Sequence, residues 1–180
     1  MEDLSLHILD IAENSIASGA HLVRIAVRED LHEDRLLLEI ADDGKGMREE
    51  VAARAADPFY TTRITRRIGM GLALLKAAAE AAEGMMTLES SPESGTTVRA
   101  TFRLSHIDRK PLGNLAETVT ALVASHAGLD ILYTHDRDGH RVVLDTREIR
   151  QVAGLSSLET IEALSVIRHY LKQEEDALAR

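Results

Sequence analysis

The chain has 180 residues, 44% hydrophobic and 28% charged, with a net charge of -9 and no cysteine. That balance is the one of a soluble globular protein, and missing cysteines exclude disulfides, thiolate metal sites and cysteine nucleophiles. The acidic charge, with Tyr 3, Phe 2 and Trp 0 for base stacking, excludes a nucleic-acid binder. No apolar run is long enough to span a bilayer, and the acidic start Met1-Glu2-Asp3 lacks the basic start of a signal peptide. The expectation is a cytoplasmic protein without membrane insertion.

Asp3 predicts a helix cap, followed by a helix to Ser18 with Leu4, Ile8, Ile11 and Ser15 at helical spacing and Gly19 as its stop. Residues 22–28 and 36–41 read as two strands joined as a hairpin. A short helix is predicted from Arg48 to Ala56, ending at Pro58, and then a long loop from 57 to 69. The alanine-rich stretch from Met70 to Glu83 predicts a helix with Gly84 as its cap. Two strands follow, Met85 to Ser90 and Thr96 to Leu104, the second alternating so as to bury one face. Composition shifts at 105–113, a linker. Beyond it a helix is expected at Leu115 to Ser125, then a hairpin turning at Asp138-Gly139. A last helix is expected from near Ser156, with Ser156 and Glu159 as a capping box and Leu158, Ile161, Leu164, Ile167 and Leu171 on one side. That helix is either a dimer seam or packed on the domain.

Four features carry chemistry. The turn Asp42-Asp43-Gly44-Lys45-Gly46 follows a buried strand. Its glycines let backbone approach a flat ligand, and its first carboxylate can accept a hydrogen bond from an exocyclic amine such as adenine N6. Asp10 and Asn14 share one helix face, where a carboxylate and an amide oxygen can hold Mg2+ and orient a nucleophile. Gly69-Met70-Gly71-Leu72 opens a helix whose amides and dipole favour a phosphate, with Arg63, Arg66 and Arg67 just before it. Gly95-Thr96 enters the last alternating strand, its hydroxyl within reach of the base or of a water beside Asp42. Taken singly, each is also the chemistry of an ordinary turn or a solvated face. Neither a Rossmann nor a P-loop glycine pattern is present.

Read in order, these segments resemble the GHKL ATPase superfamily of DNA gyrase, the ninety-kilodalton heat-shock chaperones, histidine kinases and mismatch-repair ATPases. The N box is Ile8 to Ser15, the G1 box Asp42 to Gly46, the F box Asp57-Pro58-Phe59-Tyr60-Thr61-Thr62, the G2 box Gly69 to Leu72 and the G3 box Gly95-Thr96. The resemblance covers residues 1–104. It implies a Bergerat fold: an α/β two-layer sandwich, a mixed sheet with helices on one face, formed by residues 1–105. Residues 106–180 would add a small α/β extension that offers a partner or dimer surface.

The resemblance also implies ATP and Mg2+ as cofactors. Asn14 would hold the metal, Asp42 would read adenine, and Gly44, Gly46 and Met47 would line the base. Residues 57–69 would form a lid contributing Phe59, Thr62 and Arg63. Gly69, Met70, Gly71 and Leu72 would face the phosphates, and Thr96 would complete the pocket. Glu13 is expected to act behind Asn14 rather than as a base. Hydrolysing members carry Glu four residues before the N-box Asn, and histidine kinases more often a non-acidic residue. Asp10 stands there as the candidate catalytic base and leaves both mechanisms open. Phosphotransfer to a protein partner is expected first, an ATP-driven switch with slow hydrolysis second, and a non-catalytic nucleotide sensor third. His106 and His126 are expected to be ordinary surface or packing residues rather than phosphoacceptors, and no phosphoacceptor hairpin is expected ahead of the N box.

Overall fold

The computed structural model describes residues 2–57, 71–155 and 157–179. In chain order the elements are α1 (Leu4–Ala17), β1 (Leu22–Asp30), β2 (Arg35–Asp42), α2 (Glu49–Ala52), α3 (Gly71–Ala81), β3 (Met86–Ser90) and β4 (Thr96–Arg103). They continue with α4 (Leu115–Ser125), β5 (Asp130–Arg137), β6 (His140–Asp145), α5 (Thr146–Ala153) and α6 (Ile161–Leu178). The strands form one sheet in the order β3-β4-β2-β1-β5-β6. Every neighbouring pair is antiparallel except β1 and β5, so the sheet is mixed, as expected.

Alternation decides which face is covered. Val23, Ile25 and Val27 of β1, Leu36, Leu38 and Ile40 of β2, and Val98, Ala100 and Phe102 of β4 are buried. They pack with Leu4, Ile8, Ile11 and Ala12 of α1 and Leu75 and Ala79 of α3 in one core. The other face is wet: Arg99 pairs across strands with Glu39 and Glu89, and Arg103 with Asp34 and Glu83. Such exposed pairs are screened by solvent, so the core and not these bridges carries the sheet.

Residues beyond 105 extend this sheet. β5 lies beside β1 in parallel register, Ile25 opposite Tyr133, and α4 places Leu115, Val119 and Leu122 in the same core. The linker straps the start of α1. Pro111 and Leu112 carbonyls accept the Leu4 and Ser5 amides at 2.9 Å each, satisfying two of the N–H groups that every helix leaves orphaned. Asp3 caps the same end, accepting from Leu6 N at 3.1 Å.

Several predicted boundaries move. α2 is one turn, Glu49–Ala52, rather than a helix to Ala56. At the end of α3 the left-handed residue is Glu83, at φ 55, not Gly84. Gly84 donates to the Ala79 carbonyl at 2.8 Å in a Schellman arrangement. Its missing side chain serves packing, since a Cβ there would stand 1.8 Å from the Thr101 carbonyl oxygen. α6 begins at Ile161 with Thr160 as its cap, accepting from Ala163 N at 3.2 Å. Ser157 instead closes a local turn on the Glu159 amide, which competes with the predicted earlier start; Ser156 itself lies outside the described residues. Ile161 is 84% exposed, whereas Ile167 and Leu171 are buried. α5, absent from the sequence reading, is capped at both ends, by Asp145 accepting from Arg147 N and by Gly154 at φ 62.

A buried polar cluster ties α6 to the sheet. Tyr133 donates to Glu175 Oε1 at 2.5 Å, and His135 bonds Glu175 at 2.8 Å and Glu29 at 3.2 Å. The cluster borders a cleft of about 530 Å³, walled also by Asn114, Lys172 and Asp176. Burial alone would lower the His135 pKa, but hydrogen bonds to Glu175 and Glu29 outweigh it and raise it to about 9. The His135 bond draws Glu29 down against its own burial. The sign follows from linkage. A histidine raised from 6.5 contributes stability that is whole below that value and lost as pH climbs through the folded value. Urea midpoints of the intact chain should therefore fall between pH 7 and pH 10, and His135→Leu should flatten that fall while lowering stability at pH 7. Parallel pH dependences for the two proteins would exclude His135 as its source.

Candidate functional site

Asp42 occupies the end of the inward row of β2, after Leu36, Leu38 and Ile40, and its strand partners are Val23 and Thr96. Alternation therefore turns its carboxylate under the helix layer, where it is 7% exposed. Oδ1 accepts from the Gly44 amide at 2.9 Å and from the Thr96 amide at 3.2 Å. Oδ2 accepts the Ser15 hydroxyl at 2.6 Å. A carboxylate offers about four acceptor sites. Among the described residues three are engaged, which leaves one on Oδ2 for an amine donor.

The turn after Asp42 is held from both sides. Asp43 Oδ1 accepts the His21 and Leu22 amides at 2.8 Å each. Burial opposes its ionisation, but these backbone bonds prevail and hold its carboxyl below the ordinary range. Lys45 N reaches the Ser18 carbonyl, and its own carbonyl accepts Glu93 N. Gly46 sits at φ +63 with no room for a side chain, because a Cβ would stand 1.9 Å from the Ser91 carbonyl oxygen. Next to it, Ser90 is a junction: its hydroxyl accepts Met47 N, donates to the Gly95 carbonyl and touches Thr96 Oγ1, all at 2.9 Å. Thr96 thus serves Asp42 through its amide, while its hydroxyl is engaged by Ser90.

Asp10 and Asn14 lie one turn apart on α1, both half-buried. α3 brings its first residue, Gly71, against Asp10: a Cβ there would lie 1.7 Å from Asp10 Oδ2. The start of α3 and the Asp10 carboxylate therefore adjoin, and Leu72 packs on the core. Glu13 points elsewhere, to His126 Nε2 at 3.1 Å. Phe59, Thr62, Arg63, Gly69 and Met70 lie outside the described residues. Sequence reasoning missed the roles of Ser15, Ser90 and Asp43. Ser15 did carry a signal, as a hydroxyl in an otherwise apolar stripe. Ser90 carried none, since its bond to Met47 joins segments over forty residues apart.

The family described as Histidine kinase-, DNA gyrase B-, and HSP90-like ATPase matches residues 2–106. The chain belongs to that family. Its sheet and helices are those of the Bergerat ATP-binding fold, and ATP binding in a histidine kinase-like domain comes with it. Among relatives, a sensor protein kinase of Pseudomonas aeruginosa is 37% identical over 110 residues, 61% of this chain and 27% of its own length. The non-motile and phage-resistance protein of Caulobacter vibrioides is 33% identical over 112 residues, 57% of this chain and 13% of its own. The matched segment is thus a small part of each relative. The N-terminal domain of a DNA repair protein superposes with a TM-score of 0.56 at 15% identity, over 81% of this chain and 53% of that one, a likeness of fold alone.

The glycines are testable apart from any ligand. Gly46→Ala should cost roughly 2–4 kcal/mol, from left-handed strain plus the clash with the Ser91 carbonyl. Gly19, at φ +85 with nothing within 4 Å of a Cβ, should cost only about 1 kcal/mol as alanine. Equal losses in urea unfolding would contradict the packing described for Gly46.

Proposed function

We propose that the chain binds ATP with Mg2+ at the Asp42 site and passes the terminal phosphate to a protein partner. The observation that carries the reading is the buried Asp42 carboxylate. Its bonds to Ser15, Gly44 and Thr96 fix it in place and leave one acceptor without a partner among the described residues. A fixed acceptor of that kind suits the exocyclic amine of adenine. Gly44 and Gly46 let Ser18 and the Ser91 backbone approach the turn closely, and Met47 is held beside them by Ser90.

The donor chemistry at the other end suits Mg2+. Asn14 offers a hard oxygen, and among the described residues no group of three or more His, Cys, Asp or Glu side chains is gathered for a metal. Mg2+ is commonly held by one or two protein oxygens with phosphates and waters completing its shell. When bound, it would neutralise phosphate oxygens. The Gly71 and Leu72 amides at the start of α3 would add dipole-assisted contacts to them. Asp10, packed against Gly71, would accept a proton from whichever hydroxyl or water attacks the terminal phosphate. That placement also favours a second reading, an ATP-driven switch with slow hydrolysis through Asp10. Under either reading residues 106–180 offer the partner surface. No described helix is long and apolar enough to cross a membrane, and a cytoplasmic location is part of the proposal.

Two substitutions separate the steps. Asp42→Asn should weaken ATP binding about 10- to 100-fold, the loss of a charged acceptor, as read by titration with ATP and Mg2+. Undiminished affinity would remove Asp42 from the adenine site. Asp10→Asn should retain ATP while abolishing both label transfer and phosphate release from gamma-labelled ATP in cell extract. Label on a protein supports transfer, free phosphate supports the switch, and unchanged turnover would exclude Asp10 as the base.

A further inference from the structure

The two edges of the sheet differ. β3, at one edge, has α2 packed beside it. β6, at the other, has no strand beyond it among the described residues. It also lacks the usual edge protections: it contains no proline and no lysine, and its register with β5 runs without a bulge. The turn fixes which way its backbone points. Asp138 and Gly139, both at positive φ, close a two-residue hairpin in which Arg137 and His140 pair. The pair flanking such a turn exchanges both hydrogen bonds, and successive residues then alternate. The N–H and C=O of Val142 and Leu144 therefore serve β5, and those of Val143 point out of the sheet. Tyr170 of α6 agrees with that direction, its hydroxyl donating to the Val143 carbonyl at 3.0 Å. A carbonyl has two lone pairs, so an amide can join it there.

The side chains at this edge complement a reversed copy of themselves. Val142 and Leu144 are buried, so Arg141, Val143 and Asp145 lie on the face turned from the core. A two-fold axis at Val143 sets that residue opposite its own copy and Arg141 opposite Asp145 of the second copy, on both sides of the axis. Opposite charges placed so stabilise an antiparallel pair, and like charges repel. Asp145 already holds Arg147, whereas Arg141 makes no ion pair among the described residues. Apolar surface lies beside the strand as well. Val143 is 42% exposed, Val166 69% and Tyr170 39%. Val166 and Tyr170 are four residues apart on α6 and share a face, which the Tyr170 bond holds at the β6 edge. A rotation about an axis through the sheet leaves both helix layers on one side, so it brings this face against its copy.

We propose that the chain forms a two-fold dimer through β6, joining two sheets into one, with the Val166 and Tyr170 faces of α6 packed across the axis. The occupant of the edge is a second copy because the pattern Arg-x-Val-x-Asp becomes its own charge complement when reversed, and because one operation covers both the strand and the helix face. The two Asp42 turns then stand roughly 30–35 Å apart, seven strand spacings of about 4.8 Å. Each copy keeps its own site, and the dimer presents two. The proposal is independent of what that site binds.

The test is analytical ultracentrifugation of the full chain over a range of concentrations, which should show a dimer. Val143→Lys places like charges together at the axis, and Arg141→Asp places acid against Asp145. Each should raise the dissociation constant at least about tenfold while leaving urea unfolding of the monomer nearly unchanged. The chain has no cysteine, so Val143→Cys adds a single thiol per copy. Paired Cα atoms about 5.5 Å apart suit a disulfide, and oxidation should link the copies. Ile107→Cys, exposed in the linker after β4, should stay mostly single. If Val143→Lys does not fold, the two cysteine variants make the same comparison. A monomer at every concentration, a dimer that neither charge substitution weakens, or equal linking of the two cysteine variants would overturn the proposal.

Discussion

One carboxylate organises this molecule. Asp42 is buried because it ends a strand row that points into the core, and a buried carboxylate is costly unless hydrogen-bonded. Three donors meet it: Ser15 from α1, Gly44 from the turn and Thr96 from β4. At about 1.5–3 kcal/mol for each bond to a charged group, they outweigh any surface bridge in the chain. They also join segments that start far apart in sequence. The close approach of Gly46 to Ser91 and of Gly95 to the Asp42 carbonyl follows from drawing those segments to one point.

The same economy explains how residues 106–180 bear on the site. β5 joins the sheet beside β1, the linker caps the start of α1, and His126 at the end of α4 meets Glu13. Glu13 precedes Asn14. The helix that bears Asp10 and Asn14 is thus held at its first turn and near its last by residues outside the matched ATPase segment, besides its packing on α3 and the sheet. A displacement of α4 has a short covalent and packed path to the Asn14 end of α1 through Glu13, and the His135 cluster anchors α6 to β5 and β1.

Much of the fold was legible because its signals are local. The alternation of β4, the Asp3 cap, the Gly19 stop and the helix at Leu115 to Ser125 each depend on a few neighbouring residues. The weaker readings fell where a local rule met a tertiary one. Gly84 has the residue type of a left-handed cap, yet Glu83 takes that conformation, because position 84 must pass close to the Thr101 backbone. Ser156 and Glu159 have capping spacing, yet Ser157 closes a turn first. α5 escaped notice because it follows β6 with no loop between them, Asp145 both ending the strand and capping the helix.

By itself the sequence determined the ligand class. The order of Asn14, the Asp42 turn, the Gly69 to Leu72 segment and Gly95-Thr96 is specific in a way that no single turn is, and order is a property of the chain alone. Only the tertiary structure decided what surrounds those residues. It turned Thr96 from a hydroxyl donor into a backbone donor, brought Ser15 onto Asp42, and set Asp10 against Gly71. Those are contacts between segments tens of residues apart, and their physical basis, the inward row of a strand and the packing of one helix start on another, exists only once the sheet has formed.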